Sequence, residues 1–206
     1  MRFIGITGGV GAGKSAILSY LSEKPNTRVM LADEIAHDLM EPGTDCYKQI
    51  VEQFKGLDIF QDITAAKDRA FDRKKLARVI FSDSHRREQM NAIVHPAVKD
   101  FVRKQYAFEK EKQELELLVL EAALLIEEEY DEICDELWYI YTNEENRRKR
   151  LKESRGYSDE KIDSIFRSQL SEEEFRASTK VTIDNNGDLV DTMKQIEKAL
   201  RRKADE

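Results

Sequence analysis

Eight residues near the amino terminus, Gly8-Gly9-Val10-Gly11-Ala12-Gly13-Lys14-Ser15, constrain this chain more than any other stretch. They match the pattern G-x-x-x-x-G-K-[ST] and lie between an apolar run at 3–7 and a run of helical spacing at 15–22. A short apolar run ended by glycines reads as a buried strand. The glycines let the backbone curl until successive N–H groups converge on one centre, where a polyphosphate can sit. The following helix adds its dipole and its amide donors. In that geometry Lys14 spans the outer phosphates and the Ser15 hydroxyl binds Mg²⁺. Gly11, Ala12, Gly13, Lys14, Ser15 and Ala16 are therefore the candidate contacts to a nucleotide.

Further β-prone runs occur at 28–32, 117–120, 137–141 and 181–183. Continuous apolar runs of this kind are expected of strands buried on both faces of a parallel sheet. The stretch 34–113 is mostly helical in pattern, with periodic segments at 35–40, 47–54, 73–81 and 86–94. Pro96 suits the first turn of a separate helix. Residues 144–170 read as a charged helical stretch, and 190–200 as a closing amphipathic helix. Short strands separated by helices predict a doubly wound α/β core with helical insertions. The 206 residues suffice for one well-cored domain with insertions and are few for two.

Composition narrows the partners. A formal net charge of −7 gives no general attraction to nucleic acid or to an anionic membrane, so a phosphate ligand must be held by a local cluster. Cys46 and Cys134 match no metal-ligand spacing and read as free thiols of a reducing compartment. The first residues lack the pattern of a signal peptide, and the apolar stretch 115–126 is too short to cross a bilayer. A soluble cytoplasmic protein is the expectation, with no nucleic-acid or membrane partner.

The loop alone serves switch GTPases and kinases alike. An Asn-Lys-x-Asp element for guanine is missing from the chain, and the arginine-rich stretch Arg147-Arg148-Lys149-Arg150, followed by Arg155, favours a small-molecule kinase. Such arginines on a helical lid stabilise charge on a transferring phosphoryl group, though they equally suit a solvated basic face. Asp33 ends the second strand, where a carboxylate can orient or deprotonate an acceptor hydroxyl, or cap the next helix. Glu121 ends the third strand, where it can support Mg²⁺ through water or simply be exposed.

Beyond these readings, the chain resembles the dephospho-CoA kinase family over almost its whole length. The residues that carry the resemblance are 4–15, Ala32-Asp33-Glu34-Ile35-Ala36-His37, Glu41-Pro42-Gly43 and Arg73-Lys74-Lys75-Leu76. Val79-Ile80-Phe81-Ser82-Asp83, Asn91-Ala92-Ile93-Val94-His95-Pro96, Leu124-Leu125-Ile126-Glu127 and Ile183-Asp184-Asn185-Asn186-Gly187 continue it. The resemblance implies transfer of the ATP γ-phosphate to the ribose 3′-hydroxyl of dephospho-CoA, with ATP and Mg²⁺ as cofactors. It implies Asp33 as the acceptor-orienting base, with Lys14 and Arg150, a lid arginine, as its catalytic companions. His95, Leu124 and Leu125 are then substrate contacts, Asn185 and Gly187 lie near adenine, and Ser15 and Glu121 serve the metal. The implied architecture is a P-loop kinase core, with a parallel sheet flanked by helices, at 1–32, 114–142 and 181–206. A helical substrate-binding domain at 33–113 and a helical lid at 143–180 complete it, in a monomer or weak homo-oligomer. The chain departs from the family pattern at Ala123, where Pro is usual, at Ser154, where a second lid arginine is common, and at Thr179-Lys180, which replaces Ala-Asp.

Overall fold

The computed structural model describes residues 1–60 and 70–202. The part of the helical reading that falls on 61–69 lies outside the described residues. Among those described, strand β1 is Arg2–Thr7, helix α1 Lys14–Ser22 and strand β2 Thr27–Leu31. Four helices follow: α2 (Ala32–Leu39), α3 (Asp45–Gln53), α4 (Arg73–Phe81) and α5 (Ser84–Lys112). Then come β3 (Leu117–Glu121), a single 3₁₀ turn at Tyr130–Glu132, and β4 (Glu136–Tyr141). Helices α6 (Glu144–Arg155), α7 (Asp159–Arg167) and α8 (Glu172–Ala177), strand β5 (Val181–Asp184) and helix α9 (Leu189–Leu200) complete the chain.

The strands form one sheet in the order β2-β3-β1-β4-β5. β1 runs parallel to both β3 and β4, and β4 runs parallel to β5. As the middle strand, β1 is covered on both faces, which is why its apolar residues run without alternation. Phe3, Ile4 and Ile6 are buried, as are Leu118, Val119, Leu120, Trp138 and Ile140 of the neighbouring strands. Each such side chain contributes about 1.5–3 kcal/mol by leaving water. This core fixes the ends of β1, β3 and β4, and so the loops that leave them.

The chain divides into two compact units, one of Met1–Met30 and Phe108–Glu206, the other of Leu31–Ala107. The first holds the sheet together with α6, α7 and α8; the second is helical. Among the described residues no helix is long and apolar enough to cross a membrane.

Two helical boundaries differ from those expected. Pro96 does not begin a helix but lies inside the 29-residue α5. Proline removes one backbone hydrogen bond and crowds the carbonyl four residues earlier. Met90, Val94, Val98 and Val102 are all buried at four-residue spacing, so one apolar stripe runs past the proline and holds the helix together. The stretch 144–170 is instead broken after Arg155. Gly156 takes the left-handed conformation (φ 61°) that closes α6, and the Ser158 side chain accepts the Lys161 N–H to open α7.

Candidate nucleotide site

The glycine-rich loop leaves β1 and enters α1, as its pattern requires. Gly8 (φ 151°) passes so close to β4 that a Cβ there would lie 2.6 Å from the Ile140 carbonyl oxygen. Gly13 (φ 86°) is the N-cap of α1 in the left-handed region, with no side-chain capping bond. A Cβ on Gly13 would meet Asn185 Nδ2 at 2.4 Å. The first four N–H groups of any helix have no acceptor within it, so an uncapped start offers donors to a ligand. Ser15 and Ala16 are exposed in this first turn. Lys14 Nζ donates to the Gly8 carbonyl at 2.7 Å and lies 3.5 Å from Glu121 Oε1. Lysine, loop and the acid ending β3 are thus brought together. Thr7, the last residue of β1, is fully buried, and its hydroxyl has no hydrogen-bond partner among the described residues.

The back of the loop is fastened through Ala12. Its carbonyl accepts from Asn185 Nδ2 (2.7 Å), Thr142 Oγ1 (3.0 Å) and an Arg150 guanidinium nitrogen (3.2 Å). Arg150 also donates to the Asn185 carbonyl at 2.8 Å, and Thr192 Oγ1 donates to Asn185 Oδ1 at 3.0 Å. Asn185 is buried, and both ends of its amide are engaged by the protein. In this structure Arg150 and Asn185 therefore grip the loop from behind. Around Gly187 a Cβ would meet nothing within 4 Å, so that turn is open. Neighbouring Asn186 accepts from the Asn143 N–H and from Asn146 Nδ2, tying the turn to the start of α6. Sequence reading missed Thr142, Thr192 and Gln169, which accepts the Val10 N–H at 3.2 Å. Nothing in their local pattern says which distant carbonyl or amide they meet.

Leu124 and Leu125 part company: Leu124 is 41% exposed, whereas Leu125 is fully buried with its Cδ1 against Gly5. The three departures from the family pattern have visible settings. Ala123 is exposed in the turn after β3. The Ser154 hydroxyl donates to the Arg150 carbonyl at 2.6 Å, and the Thr179 hydroxyl donates to the Phe175 carbonyl at 2.8 Å. Arg155 lies 5.9 Å from the ring centre of Tyr157.

In the helical unit, Asp33 is exposed in the first turn of α2. The N-cap of that helix is Leu31, with no side-chain capping bond, so Asp33 is not used as the cap. His95 is half-buried on α5. His37 contacts Arg73 and lies 3.6 Å from Glu41.

The family model for dephospho-CoA kinase matches residues 2–191. The chain belongs to the dephospho-CoA kinase family. Dephospho-CoA kinase of Shouchella clausii is 36% identical over 203 residues, covering 98% of this chain and 99% of that protein. Dephospho-CoA kinase of Oceanobacillus iheyensis is 35% identical over 202 residues, covering 97% and 96%. The solved structure of TT1252 from Thermus thermophilus superimposes with a TM-score of 0.71 at 28% identity, covering 97% of this chain and 96% of that one. The parallel sheet flanked by helices described above is consistent with the P-loop kinase fold.

Proposed function

We propose that this chain transfers the γ-phosphate of ATP to the ribose 3′-hydroxyl of dephospho-CoA, completing coenzyme A. The observation that carries the reading is the open helix start behind a curled glycine loop, with Lys14 and Glu121 beside it, in a chain that matches the family over residues 2–191. Gly11 to Ala16 line the phosphates with backbone amides, and Lys14 turns from the Gly8 carbonyl to the outer phosphate oxygens.

The residues present suit a magnesium nucleotide. Among the described residues no group of three or more His, Cys, Asp or Glu could cage a metal. Mg²⁺ rarely needs one, since it keeps waters and is shared between one or two protein oxygens and the phosphates. Ser15, exposed in the first turn of α1, would hold it directly and Glu121 through water. When bound, the ion neutralises charge on the transferred group. Asp33 accepts the proton of the acceptor hydroxyl, with its carboxylate exposed and unspent on helix capping. His95 and Leu124 are the proposed dephospho-CoA contacts. Leu125, whose side chain lies in the core, serves that contact by holding the turn in place. The helical unit Leu31–Ala107 is the proposed acceptor-binding part, and α6 to α8 the lid.

The test is ADP release by the purified chain with Mg-ATP and a panel of acceptors. Release is expected with dephospho-CoA and not with nucleosides, nucleotides or small sugars. Acceptor-independent hydrolysis alone would overturn the reading.

A further inference from the structure

Arg147 does not point away from the protein, as a member of a solvated basic run would. It comes from the first turns of α6, and its half-buried side chain lies against the glycine-rich loop. Nε donates to the Val10 carbonyl at 2.9 Å, and a terminal nitrogen donates to Gln169 Oε1 at 2.5 Å. The same Gln169 oxygen accepts the Val10 N–H at 3.2 Å. Both backbone hydrogen-bonding groups of Val10, the N–H of one peptide and the carbonyl of the next, are thus held by residues of the α6–α8 segment. The guanidinium also packs over the Phe166 ring, 4.3 Å from its centre. Burial holds its pKa below the ordinary arginine value, so its donors have given up water for these partners.

The clamp accounts for a glycine that backbone geometry does not. Gly9 has no positive φ, yet a Cβ there would lie 2.4 Å from the guanidinium carbon of Arg147. A side chain on Gly9 would have to displace the Arg147 guanidinium from where it stands.

We infer that Arg147 and Gln169 are positioning residues for nucleotide binding: they set the two peptide planes on either side of Val10 and so pre-orient the amides that follow. The inference rests on reading the loop as the nucleotide site. A loop held in its binding shape loses less conformational freedom when the ligand arrives, so removing the clamp weakens affinity without removing a ligand contact. By linkage, a bound nucleotide holds the α6–α8 segment on the loop by the same factor.

The experiment is calorimetry of the intact chain with a magnesium complex of a non-hydrolysable ATP analogue. Arg147→Met and Gln169→Met are expected to weaken binding by about tenfold to a hundredfold, the loss of one or two charge-assisted hydrogen bonds. The KM for dephospho-CoA is expected to stay within about twofold, since its contacts are elsewhere. Lys152→Met, on the same helix and paired with exposed Asp159, is expected to leave nucleotide binding unchanged. Gly9→Ala is expected to weaken binding in the parent but to add less than about twofold in an Arg147→Ala background, where the space is vacant. A Gly9→Ala effect of equal size in both backgrounds would sink the clamp. So would parent-like affinity in a folded Arg147→Met or Gln169→Met variant. Absence of nucleotide uptake by the parent chain would remove the nucleotide reading itself, and this inference with it.

Discussion

Asn185 and Asp33 are both polar residues next to a strand end, and the structure gives them opposite duties. Asn185 is buried and spends both ends of its amide on Ala12 and Thr192. Asn185→Ala removes one of three donors to the Ala12 carbonyl and one acceptor of the Thr192 hydroxyl, both of which keep other partners, so a loss of about 1 kcal/mol is expected in urea unfolding. Asp33 is exposed and caps nothing. Asp33→Asn is expected to lower kcat by about a hundredfold or more while nucleotide affinity stays near the parent value. Parent-like turnover would show that this carboxylate does not handle the acceptor proton. Loop residues were legible in the sequence because glycine, lysine and serine at fixed spacing have a local mechanical meaning. The grip of Arg150, Arg147 and Asn185 on that loop was not, because it joins residues about 140 to 170 positions apart through backbone carbonyls that carry no side-chain signature.

At the scale of elements, β1, β3 and β4 announced themselves as short apolar runs, since burial on both faces leaves little room for polar residues, while the less buried edge strands β2 and β5 showed as short β-prone runs. Helix ends were harder. Proline usually marks a boundary, but the stripe from Met90 to Val102 outweighs it within α5. Pro96→Ala restores a donor and relieves crowding, so it is expected to raise stability by at least about 1 kcal/mol, read as a higher Tm. Helices α1 and α9 are joined by Glu197, which accepts from both Lys24 and Tyr20. The Lys24 bond, then the Tyr20 bond, holds the Glu197 carboxyl below its ordinary pKa. A lowered folded-state pKa contributes stability above the ordinary carboxylate value and loses it as pH falls through the lowered one. Glu197→Gln is therefore expected to flatten the acid limb of the stability profile. The change should be no more than about 1 kcal/mol at neutral pH, because the pair is partly exposed.

On the scale of the whole molecule, the proposed phosphate site belongs to an acidic chain of net charge −7. Long-range attraction cannot deliver ATP or a CoA precursor to it, so the amides of the loop and a few cations at contact distance must supply the affinity. The chain divides into two compact units, one built on the sheet and one helical. The family and the architecture could be read from motifs spread along the chain. The clamp behind the loop joins residues far apart in sequence and leaves no local pattern. The most direct test of the central claim is to identify the product itself, by phosphorus NMR and mass spectrometry after incubation with Mg-ATP and dephospho-CoA. A new phosphomonoester on the ribose 3′-hydroxyl, formed in step with ADP, is the predicted result. Inorganic phosphate with unchanged dephospho-CoA, or a phosphate at any other position, would contradict it.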